Sequence, residues 1–215
     1  MSLLRQPAPP SLPAAGANYE RAYHDQFNNV LRLYFNQLNN NVAALLGTDG
    51  GRYLSIPFGA WSSDSDQTAV STTAAYAITF DVTDVADSVT LVDDSKMTVR
   101  YSGVYNLQFS IQFNNTDSQI HDVDVWAAIN GTDVPNSNSR FSVSNSHGGV
   151  DGHLIAALNL FLPLYSGDYV ELYWHTDNTS VSIEHLPAAS SPTRPATPSV
   201  IATMSFVSAL PDSTT

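Results

Sequence analysis

Histidines, carboxylates, hydroxyls and aromatic rings supply what chemistry this chain could do, and their spacing decides whether they act together. The six histidines are His24, His121, His147, His153, His175 and His185. None falls in an H-E-x-x-H or H-x-H pattern, and the closest pair, His147 and His153, flanks Gly148-Gly149. They read as solvent-facing loop or sheet groups rather than a zinc set. The acidic pairs Asp64/Asp66, Asp93/Asp94 and Asp122/Asp124 suggest calcium only by composition. Asp64 and Asp66 lack the glycine and closing glutamate of an EF-hand loop, and Asp122 and Asp124 share one strand face, where water serves them. The nearest approach to a seryl nucleophile elbow, Ser144-Asn145-Ser146-His147-Gly148, lacks the first glycine and a strand–turn–helix context. The chain is therefore expected to be no enzyme and to use no cofactor or metal. The rings of Trp61, Trp126, Trp174, Tyr165, Tyr169 and Tyr173 could form a flat platform for sugars, and Trp126, Tyr169 and Trp174 are the ligand-binding candidates.

The element that must position these groups runs from Val99 to Phe113. Tyr105, Leu107, Phe109, Ile111 and Phe113 alternate with Asn106, Gln108, Ser110 and Gln112. Period two means a strand with one face in a core and one toward water, and a helix would scatter these residues all round. Gly103 stands where close packing needs a residue without Cβ. Further strand material lies at 69–81, 89–92, 97–101, 121–129, 140–145, 169–175, 181–186 and 200–207. Asp93 to Lys96 and Asn114 to Asp117 read as turns, and Asn130-Gly131 as a tight hairpin. Leu154 to Leu164 is nearly all apolar, which fits a strand buried on both faces, or on one face and at a subunit interface. Leu186 to Ser199 carries four prolines and reads as a stiff surface loop. Short strands at this spacing predict an all-β, antiparallel sandwich or jelly roll over 61–215.

Ahead of it, residues 1–17 form a Pro-rich extended arm that can enter neither helix nor inner strand. Residues 18–46 predict one long helix, with Asn18 as N-cap, Glu20 in the first turn and Gly47 as the stop. Tyr19, Tyr23, Phe27, Val30, Tyr34, Leu38, Asn41 and Leu45 recur at a mean near 3.67, an eleven-residue repeat suited to a straight or slightly right-handed bundle. The stripe is expected to join identical subunits, with Asn41 fixing register. Residues 47–60, rich in glycine at the start, are the linker.

Composition bounds the rest. Only 13% of the 215 residues are charged, and 20 acidic against 8 basic residues give −12. That balance repels polyanions, so nucleic acid is not an expected partner. Without cysteine, stability must come from burial. Neither an export signal nor a membrane span is legible, so a soluble product without membrane insertion is expected.

Four segments carry a family resemblance: S-G-V-Y-N-L-Q-F-S (102–110), W-A-A-I-N-G-T-D-V-P-N-S (126–137), L-Y-S-G-D-Y-V-E-L-Y-W (164–174) and I-A-T-M-S-F-V (201–207). They resemble the C1q/TNF-like jelly roll. Residues 60–207 as a whole are similar to jelly-roll domains in structural proteins of tailed bacteriophages. The helix, with F-N-N-V-L-R-L-Y-F-N-Q-L-N, is similar to the leader of many phage virion proteins. The resemblance implies a homotrimer in the virion, assembled in the host cytoplasm, as a capsid-decorating cement protein or head fibre. It also allows a tail fibre whose knob recognises a host-surface glycan or protein. Anchoring to the major capsid protein or another virion protein is expected through Leu3, Leu4, Arg5, Pro7, Pro9, Pro10, Leu12 and Pro13.

Overall fold

The computed structural model describes residues 7–14, 18, 20–46 and 56–211. The chain divides into two compact units, Met1–Ser55 and Ile56–Thr215. In the first, helix α1 spans Arg21–Leu46. It begins at Arg21, so Asn18 is not its N-cap. The Glu20 carbonyl accepts the His24 N–H at 3.3 Å and opens the helical ladder, which puts Glu20 at the cap position. The expected stop at Gly47 lies outside the described residues.

The second unit is β throughout. Its strands are β1 (Phe58–Ser63), β2 (Gln67–Thr68), β3 (Tyr76–Ala77), β4 (Val82–Asp87), β5 (Val89–Val92), β6 (Lys96–Val99), β7 (Gly103–Asn115) and β8 (His121–Ile129). After them come β9 (Thr132–Asp133), β10 (Ser139–Val143), β11 (Gly152–Leu164), β12 (Tyr169–Thr176), β13 (Val181–Ile183), β14 (Ala189–Ser190), β15 (Thr193–Arg194) and β16 (Val200–Ser208). One sheet places β11, β7, β16, β1 and β4 side by side, with β13 and β2 continuing beyond β16 along β7. The other runs β10-β8-β12-β6-β5. Taking the eight main strands in chain order, the first sheet holds the first, eighth, third and sixth, and the second holds the second, seventh, fourth and fifth. All pairings between the named strands are antiparallel and most connections cross between sheets, which is a jelly roll.

The central strand builds the core as its alternation requires. Tyr105, Leu107, Phe109, Ile111 and Phe113 are all buried. They meet Val123, Val125 and Ala127 of β8 and Val170, Leu172 and Trp174 of β12 in one hydrophobic cluster. β11 pairs with β7 over its whole length, from Gly152↔Asn115 to Leu164↔Gly103. At the hairpin after β8, Asn130 and Gly131 take left-handed φ values of 52° and 77°, as a type I′ turn demands.

Several boundaries differ from the sequence reading. β1 begins at Phe58, so three residues assigned to the linker belong to the sheet, where Phe58, Gly59 and Ala60 pair with β4. β4 itself has no counterpart among the expected strands. Of 69–81, only Tyr76–Ala77 joins a ladder. Ile78 and Phe80 still point inward and are buried, but their N–H groups bond the Leu172 and Asp94 carbonyls as single crossings. The loop 186–199 folds into a small hairpin, β14–β15, around a cis Ser191–Pro192 bond.

Two glycines test the close packing. A Cβ on Gly103 would sit 2.3 Å from the Phe206 ring, and one on Gly152 would sit 1.7 Å from the Ser144 carbonyl oxygen. The ring can turn aside, and the Ser208 carbonyl oxygen, 2.9 Å from a Cβ at Gly103, needs only a small shift; the far closer Ser144 backbone cannot yield as much. Gly103→Ala is expected to cost about 1–3 kcal/mol of stability, in the ordinary range of overpacking, and Gly152→Ala more, as read by thermal or denaturant melting. Equal or smaller loss in Gly152→Ala would refute the ranking.

Candidate functional site

Three surfaces present candidate functional residues, and each follows from local structure. The first is the helix. Tyr23, Phe27, Val30, Tyr34, Leu38 and Asn41 form a half-buried stripe, with Leu31 and Ala44 beside it. The Tyr23 and Phe27 rings stack at 6.2 Å. Of the remaining predicted seam positions, Leu45 is exposed, its place in the last turn taken by Ala44, and Tyr19 lies outside the described residues. Leu33, Phe35 and Val42 also expose apolar surface, so α1 carries hydrophobic area well beyond one stripe. In the arm, Pro7, Pro10 and Pro13 are half-buried, whereas Pro9 and Leu12 are exposed. A spacing of three is the period of a polyproline helix, which turns one residue in three to the same side. Leu3, Leu4 and Arg5 lie outside the described residues.

The second surface is the outer face of β11, β7 and β16. β11 turns Ala156, Leu158, Leu160, Leu162 and Leu164 toward the core and the alternate residues outward; Ile155 and Phe161 are 60% and 61% exposed. Of the two options for this strand, it is therefore the one with a single face in the core. The outward positions are alternate residues from His153 to Pro163, from Val104 to Asn114 and from Ile201 to Val207, and they include no Asp, Glu, Lys or Arg. At the centre the Asn106 amide donates to the Asn159 side chain, and Gln108 donates to Asn106 at 2.9 Å. Between β7 and β16 lies a groove of about 260 Å³, lined by Gln108, Ser110, Ile201 and Thr203.

The third surface is a cleft on the outer face of the opposite sheet, about 370 Å³ in volume. Its walls are Asp124, Trp126, Asp133, Val134, Asn136, Asn138 and His175. Trp126 pairs in register with Tyr173 of β12, and their rings stack at 5.9 Å and 20°. The indole N–H donates to Asp133 Oδ1 at 2.7 Å. Arg140 holds Asp124 by two bonds, 3.1 Å from Nε and 2.9 Å from the second nitrogen. His175 closes this corner: its Nδ1 lies 3.7 Å from Asp124 and its Nε2 2.8 Å from the Thr72 carbonyl. Ser137, 4% exposed, ties the loop after β9 to β8: its Oγ accepts from Ala127 N–H at 3.1 Å and donates to the Val134 carbonyl at 2.8 Å.

Of the three aromatic ligand candidates, only Trp126 lines this cleft. Trp174 is 1% exposed and packs against Tyr76 and Phe113 in the core. Tyr169 sits elsewhere, under the Lys96 ammonium at 5.4 Å. The alternation of Val170, Leu172 and Trp174 already placed Trp174 with the inward set, so that signal was present. Asp133, Asn136 and Asn138 lie in the segment 130–139, one of the loops through which the tail-fibre reading touches a receptor, and His175, read as a solvent-facing histidine, joins them from β12. The acidic pairs have structural partners. Asp66 accepts the His185 N–H at 2.7 Å, Asp93 pairs with Lys96 at 2.8 Å, and Asp122 accepts the Ser142 hydroxyl at 2.6 Å. His121 bridges Asp117 and Asp177 at 2.8 and 3.1 Å, joining two loops. No group of three or more metal-ligating side chains occurs among the described residues. No protein-family model and no curated protein matches the chain.

The Arg140 guanidinium beside Asp124 holds its carboxyl below the usual carboxylate range, with Asn138 and His175 adding to the effect. A carboxyl depressed in the folded state stabilises the fold above its unfolded pKa, and that contribution is lost as pH falls through the folded value. Arg140→Ala is expected to raise the Asp124 pKa toward its ordinary value and to flatten the stability loss below about pH 4. Carboxyl-carbon NMR titration with parallel melting curves reads both, and an unmoved Asp124 titration would disprove the coupling.

Proposed function

We propose that this chain is a non-enzymatic structural protein of a tailed-phage virion. It is a homotrimer that decorates or cements the capsid, or forms a head fibre, held to the particle through its Pro-rich arm and helix. One observation carries the reading: in a chain of charge −12 the outward positions of β11, β7 and β16 hold no Asp, Glu, Lys or Arg, and at the edge of this face the Glu184 carboxylate lies 3.6 Å from His153. Copies of an acidic protein repel one another, so they meet most cheaply where no acid is buried. Depletion of charge at the centre is also the compositional mark of interfaces. Phe161 and Ile155 project from one side of this face, and the groove between β7 and β16 lies on the other. Knob and groove on different parts of one surface allow a head-to-tail contact, which forms a ring when its rotation closes. The apolar excess on α1 supports a bundle of three such helices, and three arms per trimer bind with avidity even if each is weak.

The cleft at Trp126 favours a second reading, in which the same trimer sits on the tail as a receptor-binding knob. Antibody against residues 61–207, imaged on intact virions by negative stain, separates the two. Label over the head supports decoration, and label at the tail alone supports the knob. Absence of label from particles whose gene is intact would overturn the virion reading.

Native mass spectrometry is expected to show three times the 23.2 kDa chain mass. Phe161→Asp combined with Ile155→Asp should dissociate it, because an uncompensated buried charge costs roughly 3–5 kcal/mol. A trimer indifferent to both substitutions would place the interface elsewhere.

A further inference from the structure

We propose that the cleft beside Trp126 binds a neutral pyranose sugar, with the indole as the floor against which one face of the sugar ring lies. This rests on the receptor-binding reading only for its biological use, since the cleft is complete within one chain.

The geometry supplies each requirement. Tyr173 stacks against one side of the indole at 5.9 Å and is not a wall of the cleft, so the sugar is placed on the side turned away from Tyr173. A ring face is negative and attracts the weakly positive C–H bonds of a sugar face, while burying the apolar side of both. The bond from the indole N–H to Asp133 fixes the ring in place. At about 370 Å³, the cleft lies within the usual roughly 300–1,000 Å³ of small-ligand sites.

Around this floor stand planar polar groups with capacity to spare. Asp133 uses Oδ1 for the indole, and its second oxygen has no partner among the described residues. The Asn136 amide makes no side-chain hydrogen bond among them, and Asn138 spends its amino group on Asp124, leaving its carbonyl oxygen. Such groups suit adjacent sugar hydroxyls, each of which donates and accepts. Ser137 already pins the loop that carries them, so binding need not order it.

Charge selects the class. No Lys or Arg lines the cleft, and the chain carries −12, so acidic and phosphorylated sugars are repelled. Arg140 already occupies both oxygens of Asp124, which leaves Asp133 as the carboxylate that a cationic ligand could meet. The aromatic floor and the amides favour the neutral sugar, and a cationic ligand is the competitor that the test excludes.

The test screens the full chain against an array of neutral hexoside and N-acetylhexosaminide oligosaccharides. Hits are then titrated as methyl glycosides by tryptophan fluorescence. Trp61 and Trp174 are 0% and 1% exposed, so the response reports Trp126. Saturable binding is expected, weakened at least tenfold by Trp126→Ala, a variant read by isothermal titration calorimetry because it lacks the reporting indole. The paired variant Asp133→Asn with Asn136→Gly should weaken it equally with an unchanged melting temperature. The amide oxygen introduced by Asp133→Asn would still accept the indole N–H, and glycine tolerates the φ of 63° at position 136. Binding of no neutral glycoside, binding that survives the paired variant, or binding of polylysine or acidic sugars alone would overturn the proposal. Particles carrying the paired variant give a separate answer: glycoside binding lost with host adsorption unchanged would defeat the receptor reading and leave the sugar site standing.

Discussion

The second unit depends on β7 being covered on both edges and on one face at once. Its five inward side chains, Tyr105 to Phe113, supply the middle of the core, and every other large buried group packs around them. The partners come from far along the chain. β11 takes one edge, while β16 and then β13 share the other. A strand so placed cannot form early from local contacts, because its hydrogen bonds wait on segments roughly forty to one hundred residues away. Even the buried Tyr105 hydroxyl is met locally, by the Tyr101 carbonyl at 2.8 Å, so this hydroxyl is not stranded beneath the crossing.

Because β7 is central, its outward face is central too, and its composition sets the character of one whole side of the sandwich. Asn and Gln side chains there bond one another rather than ions. Acidic residues lie instead in the loops, on the edge strand β4 and on the opposite sheet, where Asp122 and Asp124 find Ser142 and Arg140. At physiological ionic strength, charges more than about 8 Å apart are largely screened. What decides association is therefore the desolvation of groups in contact, and at the outward positions of β11, β7 and β16 that involves mainly amides and apolar side chains, with the His153–Glu184 pair at one end.

Much of this was legible in the sequence wherever a segment has a strict period. The alternation of 105–113 corresponds to a strand with the facing its pattern implies, Asn130-Gly131 to a tight hairpin, and the apolar run of 154–164 to a strand whose facing the pattern left open. β4 escaped because T-D-V-A-D carries acid on both sides of Val85 and leaves that valine exposed, so neither face reads as a core face. The segment before it misled in the other direction. Tyr76, Ile78 and Phe80 alternate because they plug the core, while side chains such as Gln67, bonded to both the N–H and the carbonyl of Thr79, take the place of a ladder. The Trp126 cleft was half visible. The aromatic candidate was evident, but Asp133, Asn136, Asn138 and His175 converge only once the hairpin folds back over β8 and β12 lies alongside.

That convergence makes the sandwich two-sided in a chemically useful way. The β11, β7 and β16 face and the cleft lie on opposite sheets, so an oligomer formed through the first leaves the second open to solvent. Three clefts on one rigid trimer would then point outward together. A single shallow cleft with one aromatic floor and a few amides holds a neutral sugar weakly, since each hydroxyl exchanges one set of hydrogen bonds for another at a net gain near about 1 kcal/mol. Linking three such sites changes the arithmetic, because the second and third contacts occur at an effective concentration set by the spacing of the trimer. The same subunit contact that the first face permits is thus what would turn a marginal cleft into an effective one, and a monomer with an identical cleft would gain little from it.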